Sequence, residues 1–155
     1  MSSDEEVFRK LLTELRLLEG TADALANRIN LINAAMTELA FASATIEGLE
    51  KEKKGVPLLV PIGGGSFIKA EVADIETMVV GMGAGVSVEK TRDEAKQVVG
   101  KRIGELDKSR NTLQQQLNQV AERMRTSREQ LDQVSLRLSA QRGSARDVRE
   151  AKGRI

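Results

Sequence analysis

The feature that most constrains this chain is a pair of long heptad repeats, one towards each end of the sequence. In the first repeat, apolar side chains recur in alternating steps of three and four residues, with Ser43 in the one polar slot, at Phe8, Leu11, Leu15, Leu18, Ala22, Leu25, Ile29, Ile32, Met36, Leu39 and Ile46. A repeat of this length is typical of a helix in a coiled coil and imposes a left-handed supercoil. We therefore predict an N-terminal coiled-coil helix over residues 4–54, ended by Gly55 and Pro57.

A second repeat occupies the C-terminal part of the chain. Its apolar positions are Val99, Ile103, Leu106, Leu113, Leu117, Val120, Met124, Leu131, Val134 and Leu138, with Arg110 and Ser127 as polar interruptions. Thr91 and Glu94 have the spacing of a capping box, which marks a helix start. The repeat predicts a C-terminal coiled-coil helix over residues 91–141. Residues 142–155, rich in Gly, Ser and Arg, are predicted to form a frayed or disordered basic tail.

The segment between the two repeats, residues 56–90, has the pattern of β-hairpins. Short strand-like runs are separated by glycine turns at 63–65 and 83–85. Because this segment is short, we expect the two helices to return antiparallel within one chain. The predicted fold is therefore mainly α with a β insert: an antiparallel two-helix coiled coil whose helices are joined by two β-hairpins.

These hairpins predict an oligomer. An isolated two-stranded hairpin is marginally stable in water, and unpaired apolar strand edges promote aggregation. The simplest way to avoid both problems is for the strand edges to pair with hairpins of other chains, which together form one shared β-sheet body (the β-body). The strand residues expected to serve this assembly are Leu58, Val60, Phe67, Ile68, Val79, Val80, Val86 and Val88.

The composition argues against an enzyme. The chain has no Cys and no His, so it lacks a thiolate nucleophile, the commonest general base and the commonest metal ligands. Its 24 basic and 23 acidic residues leave a net charge of +1, which indicates neither nucleic acid nor membrane as a partner. The sequence contains no run of about 18 apolar residues and no signal-peptide pattern. We expect a soluble, cytoplasmic protein without cofactor or metal.

Two glycine-rich stretches resemble nucleotide-binding motifs, and a hairpin explains each of them better. Residues 79–85 approach the dinucleotide fingerprint, but the third glycine comes one residue early, and a strand follows where a helix is required. Lys90 and Thr91 resemble the end of a P-loop, but Glu89 stands where glycine is required. A nucleotide-dependent enzyme is therefore kept only as a rival hypothesis.

The ends of the two helices far from the hairpins form the candidate binding site. Val7 and Leu12 lie off the heptad positions, so two helices alone cannot bury all the apolar residues there. Exposed apolar surface marks an interaction site when several copies surround one cavity. The candidate binding residues at these helix ends are Val7, Phe8, Leu11, Leu12, Leu136 and Leu138.

The order helix, two hairpins, helix resembles the alpha subunit of prefoldin, archaeal type. The resemblance is carried by two motifs, VPLLVPIGGGSFIKA over residues 56–70 and VVGMGAGVSVEKT over residues 79–91. Two hairpins, in place of one, distinguish the alpha class of that family from the beta class.

The resemblance implies a hexamer of two alpha and four beta subunits, whose hairpins form a double β-barrel body. It also implies an ATP-independent chaperone that captures unfolded polypeptides at the coiled-coil tips and passes them to a group II chaperonin. The Arg-rich segment after Gln141 does not match the family pattern. The alternative is a coiled-coil scaffold or adaptor subunit that binds one specific folded partner.

Overall fold

The computed structural model describes the backbone of residues 3–152 and the side chains of residues 3–144. The elements follow in the order α1 (Ser3–Leu49), β1 (Pro57–Gly63), β2 (Ser66–Glu71), β3 (Thr77–Gly83), β4 (Val86–Thr91) and α2 (Arg92–Lys152). The two long helices are antiparallel and pack together, with the two β-hairpins between them in the chain. The predicted fold class is confirmed.

The chain divides into two units, of which the first comprises Met1–Asn30 and Asn111–Ile155. Its buried residues all belong to the predicted heptad positions, and they are Leu11, Leu15, Leu18, Leu25, Ile29, Ser127 and Val134. An ion pair between the helices, with Glu19 3.3 Å from Arg128, helps to fix which residues face each other. The heptad repeats therefore identify the core of this unit correctly.

The second unit, Leu31–Arg110, contains the hairpins and the helix ends that carry them. Its core is a cluster of Ile46, Ala95 and Val99, in which Ala95 is fully buried. The half-buried residues that pack around this cluster are Leu39, Ala42, Met78, Val80 and Ile103. Met78 and Val80 belong to β3, so one face of the second hairpin packs against the helices.

Helix α1 ends at Leu49, earlier than the predicted boundary at residue 54. Beyond it, the amides of Lys51 and Glu52 donate to carbonyls three residues back, which tightens the chain into turns. Gly55, which was expected to cap the helix, has a φ of 87° and donates its amide to the carbonyl of Val72 at 2.8 Å. Its positive φ, which costs glycine little, thus serves the entry into the first hairpin.

A charged cluster ties the end of α1 to the start of α2. Lys96 donates a hydrogen bond to the Glu50 carboxylate at 2.9 Å, and the Arg92 Nε lies 3.9 Å from the same oxygen. The Arg92 amide donates to the carbonyl of Glu76, in the linker between the hairpins, at 2.8 Å. The hydrogen bond from Lys96, helped by the nearby positive charges, holds the pKa of the Glu50 carboxyl below its ordinary value. Three segments of the chain therefore meet at this cluster.

The two hairpins have the same strand pairing and the same register. β1 pairs antiparallel with β2, and β3 with β4, so the β insert consists of two separate two-stranded sheets. Pro57 pairs with Glu71 and Thr77 with Thr91, which places equivalent pairs 20 residues apart. In each hairpin the register shifts by one residue just before the turn. The β insert is thus an internal repeat in structure as well as in sequence pattern.

Both turns take the left-handed backbone conformation that a two-residue hairpin connection requires. In the first turn Gly64 and Gly65 have φ values of 57° and 73°. In the second turn Ala84 and Gly85 have φ values of 50° and 76°. Within the described backbone, Ala84 is the one residue other than glycine with a positive φ. The predicted glycine turns are confirmed, and the second carries strain that the first avoids.

Helix α2 continues to Lys152, although the sequence predicted a frayed or disordered tail over residues 142–155. Gly143 costs a helix only about 1 kcal/mol, and Arg, Ala, Glu and Lys, which dominate the residues after it, all favour helix. The prediction is therefore corrected as far as Lys152. Residues 153–155 lie outside the described part of the chain.

Exchanging the turn residues should change stability in opposite directions. Ala84→Gly relieves strain of up to about 1 kcal/mol and Gly64→Ala introduces it, because a Cβ is disfavoured at left-handed φ. A Cβ at Gly64 meets no atom within 4 Å, so the effect is confined to the backbone. We expect the melting temperature to rise for Ala84→Gly and to fall for Gly64→Ala at equal protein concentration. Shifts of the same sign would contradict this account.

Acid should weaken the Glu50 cluster. A carboxyl whose pKa is lowered by folding contributes stability above its ordinary pKa, here 4.5, and loses it as the pH falls through the lowered value. We therefore expect Glu50→Gln to lower the melting temperature at about pH 7 and to have little effect at about pH 3. Glu105→Gln is the control, because its partner Lys101 lies 4.0 Å away on the same exposed helix face. An equal loss at both pH values for Glu50→Gln would show that the ion pair is not its cause.

Candidate interaction surfaces

The strands of both hairpins present apolar side chains that the single chain leaves uncovered. Phe67 in the first hairpin is 56% exposed, and Val79 in the second is 73% exposed. The other predicted assembly residues that are exposed in the single chain are Leu58, Val60, Ile68, Val86 and Val88. Exposed apolar surface of this extent on adjoining strands is typical of an interface.

Val80 differs from the other predicted assembly residues. It pairs with Val88 across the second hairpin, and it is half-buried against the cluster around Ile46. In the single chain, Val80 therefore seats the hairpin on the helices and is not free for another chain. This difference is not visible in the sequence, because Val79 and Val80 are both apolar and only packing against the helices determines which one faces inward.

Three further apolar strand residues are exposed and were not among the predicted set: Leu59, Ile62 and Met82. Leu59 lies between Leu58 and Val60, and successive strand residues point to opposite faces, so the first hairpin is apolar on both faces. The signal in the sequence was the unbroken apolar run at this strand, which is typical of a strand buried on both sides. The exposed surface is therefore wider than the sequence analysis predicted.

At the helix ends of the first unit, Phe8 of α1 and Leu138 of α2 line one cleft of about 370 Å³. Glu5, Arg9 and Arg142 line the same cleft and give it a charged rim. The structure thus brings together two of the six predicted client-binding residues. The result is a small apolar contact in polar surroundings.

The remaining predicted residues do not line this cleft. Leu11 is buried in the heptad core and Leu12 is half-buried, so Leu11 is not accessible while the two helices stay paired. Val7 is exposed, and Leu136 is 70% exposed. The end of the coil therefore offers scattered apolar side chains around a cleft.

Polar contacts hold the two helices together at the same end. The Asp4 carboxylate lies 3.4 Å from Arg137 and accepts a hydrogen bond from Gln141 at 3.2 Å. Leu17, further along α1, is 69% exposed, and the sequence does not predict this, because one apolar residue off the heptad positions gives no periodic signal. The side chains that share its shallow groove are Arg9, Lys10, Thr13, Glu14 and Arg123.

The glycine-rich stretch 79–85 forms most of β3 and the turn into β4. A dinucleotide fingerprint needs a helix N-terminus directly after its glycines, where the pyrophosphate binds. Here the next helix, α2, begins only at Arg92, after the whole of β4. The hairpin interpretation of these glycines is therefore confirmed.

Helix α1 contains a stretch that is long and apolar enough, by length and composition alone, to cross a membrane, with a mean hydropathy of 1.2. Only 6% of this stretch is buried within the chain. Polar residues interrupt it, so it is not a continuous apolar run of about 18 residues. Core helices of soluble proteins pass the same test, so it is weak evidence for a membrane. The apolar surface itself still requires an explanation.

Comparison with known proteins agrees with the fold and the motifs. Residues 18–136 match the family model described as "Prefoldin subunit". Prefoldin subunit alpha of Pyrococcus horikoshii is 36% identical over 110 residues, which cover 70% of this chain and 74% of that protein. Prefoldin subunit alpha 1 of Thermococcus kodakarensis is 34% identical over 105 residues, which cover 68% of this chain and 72% of that protein.

A solved structure has the same fold. The cryo-EM structure of filamentous PFD from Methanocaldococcus jannaschii matches with a TM-score of 0.65 and 23% sequence identity, over 74% of this chain and 94% of that chain. The family match spans the hairpins and most of both helices, and it agrees with the order of elements in the structure. The chain therefore belongs to the prefoldin subunit family, a family of non-enzymatic chaperones, and within it is an alpha subunit similar to those of archaea.

Proposed function

We propose that this chain is the alpha subunit of an ATP-independent chaperone that captures unfolded polypeptides at its coiled-coil ends and passes them to a group II chaperonin. Membership of the prefoldin family implies assembly with other prefoldin subunits. The assembly that we propose contains two alpha and four beta subunits and acts in the cytoplasm. The observation that carries the proposal is the exposed apolar surface of the two hairpins, which a lone chain has no means to cover.

Backbone chemistry supports assembly through the hairpins. Each hairpin is a two-stranded sheet, so each of its strands is an edge strand with unpaired backbone donors and acceptors on its outer side. Such edges pair readily with strands of another chain. Pairing would also cover the apolar faces, because neighbouring strands in a sheet lie only about 4.8 Å apart. The hairpins therefore supply both the strand edges through which chains would pair and the apolar surface whose burial would drive assembly.

The ends of the helices suit the loose holding of clients. Leu136 and Val7 are exposed, and the cleft between Phe8 and Leu138 is small and charged at its rim. Each contact of this size is weak, but several arms acting on one flexible client raise the overall affinity by roughly 10²–10⁴. Weak individual contacts also permit release, which transfer to a chaperonin requires.

The alternative is a scaffold or adaptor that uses the same assembly to bind one folded partner. That function requires a single specific patch, whereas the apolar residues at the helix ends are scattered. Holding assays with several unrelated denatured proteins separate the two functions. Protection of all of them without nucleotide supports the chaperone, and protection of none supports the adaptor.

Assembly should depend on apolar strand residues that face other chains. Ile68→Asp places a charge opposite Val60 on an exposed strand face, where burial of an unpaired charge costs several kcal/mol. We expect this variant, co-expressed with prefoldin beta subunits, to fail to form the complex of full mass in native mass spectrometry. Gln115→Asp, an exposed change on α2, is the control and should assemble normally. Full assembly of Ile68→Asp would refute a role for this strand face.

Client holding should depend on the exposed ends of the helices. A variant with Val7, Phe8, Leu136 and Leu138 changed to Ser keeps the buried Leu11 and so preserves most of the heptad core. We expect it to form the complex but to suppress the aggregation of a denatured client several-fold less well, in the absence of ATP, once the beta arms carry matching changes.

The matched control is Leu17→Ser, because Leu17 is as exposed as Leu136 but lies further from the helix ends. It should hold clients as the unmodified complex does. Circular dichroism checks that the helix ends stay folded, since Phe8 and Leu138 are also heptad residues. Equal holding by the fourfold variant in an intact complex would move the client site away from these ends.

A further inference from the structure

The face of α1 that points away from α2 carries a second heptad stripe in the hairpin-bearing unit. We call it the outer face of α1 and define it by Leu31, Ala34, Glu38, Phe41, Thr45 and Gly48. All six residues are exposed, and Leu31 and Phe41 are 72% and 71% exposed. Steps of three and four residues keep them on one side of the helix, opposite the buried heptad positions. The chain therefore presents an exposed stripe that its own α2 does not cover, and its apolar side chains are Leu31, Ala34 and Phe41.

The charge of α1 changes along its length. Residues 31–48 contain two charged residues, Glu38 and Glu47, whereas residues 3–30 contain ten. A solvated face of a two-stranded coil normally carries many charges, as the first unit does. The depletion of charge is thus confined to the part of α1 that leads into the hairpins, which is where the exposed apolar residues are largest.

Polar groups on and beside the outer face have internal partners. The Thr45 hydroxyl donates to the carbonyl of Phe41 at 2.9 Å, and the Thr37 hydroxyl donates to that of Asn33 at 3.0 Å. These hydroxyls need no water, so covering this face leaves them satisfied. Among the ion pairs within residues 3–144, none involves the Glu38 carboxylate. It is the one group on the outer face that requires a partner of opposite charge when water is excluded.

The shape of the outer face suits a helix. Ala34 and Gly48 lie one heptad to either side of Phe41, so the large ring stands between two small residues on the same line. Small residues let another helix approach closely, and the ring can enter a hole between its side chains.

The closeness of the outer face to the hairpin end of α1 favours a neighbouring subunit as its occupant. It lies within about 27 Å of the end of α1 at Leu49, counting 1.5 Å per residue. In the proposed assembly, joining subunits through their hairpins would bring these helix ends close to one another. We propose that the outer face of α1 packs against a helix of a neighbouring prefoldin subunit, which offers apolar side chains to Phe41 and Leu31 and a basic side chain to Glu38. This interface rests on the proposed assembly and extends it from the hairpins onto the coil.

Charge substitution tests the interface. Phe41→Lys and Leu31→Lys are exposed changes that should leave the isolated chain folded, and each should raise the protein concentration needed for half-assembly with beta subunits at least tenfold. Leu17→Lys is the matched control: its exposure is 69%, and it continues the same stripe, but it lies among charged neighbours in the first unit. It should change the half-assembly concentration less than about twofold. Analytical ultracentrifugation over a dilution series measures all three.

Photo-crosslinking identifies the occupant directly. Because the chain has no Cys, Phe41→Cys can be labelled at that site alone with a benzophenone maleimide. In the assembled complex we expect a crosslink to a helix of another subunit, and none from Leu17→Cys. Crosslinks only to an added denatured client, or only to added lipid vesicles, would overturn the proposal and assign the face to those partners.

The outcomes separate this interface from the proposed function. If the unmodified chain assembles and Phe41→Lys assembles equally well, the interface is refuted while assembly through the hairpins stands. If the unmodified chain does not assemble with beta subunits, both proposals fail. Weaker assembly of Phe41→Lys and Leu31→Lys, with normal assembly of Leu17→Lys, supports the interface.

Discussion

Unpaired backbone groups at the edges of the two hairpins are the constraint that favours assembly of this chain with other chains. Each hairpin pairs only with itself, and its apolar side chains face outward on strands such as β1 and β2. Two helices can cover one face of one hairpin, and Met78 and Val80 show where they do so. The rest of the β surface needs other chains. The function that we propose follows from this requirement, because only an assembly places several helix ends around one client.

The coiled coil is long, but each of its core layers is only modestly stable. Its core is a line of single aliphatic residues with no large fully buried side chain among the described residues, so each layer adds little stability alone. Charged contacts at both ends, Asp4 with Arg137 and Glu50 with Lys96, hold the two helices in register. This arrangement combines length with modest local stability, which suits the weak, reversible client binding that we propose.

The sequence predicted the periodic parts of the structure and missed the parts that depend on contacts. Heptad spacing identified buried residues such as Leu25 and Val134, and glycine spacing located both hairpin turns, because each pattern reports a local geometry. The end of α1 at Leu49 was missed, since it depends on hydrogen bonds from later turns and on ion pairs to α2. The inward position of Val80 was missed for the same reason: its neighbour Val79 is equally apolar.

Surfaces outside the periodic core were the hardest to predict. Leu31 and Phe41 are separated by ten residues, and their common face emerges only when Ala34 and Gly48 are recognised as part of the same stripe. At the helix ends, polarity suggested Leu11 as a binding residue, but the opposing helix buries it. Leu11 is also a heptad position, so the repeat itself predicted its burial, and polarity alone was a poor guide to binding there.

Hydrogen exchange of the hairpin amides tests most directly whether other chains complete these sheets. The amides to follow are those of β1–β4 that point away from their partner strand within the hairpin. The account predicts that they exchange rapidly in the isolated chain and at least about 100-fold more slowly in the complex with beta subunits, while amides at the start of α1 keep their rates. Equal exchange rates of the hairpin amides in the isolated chain and in the complex would contradict the account.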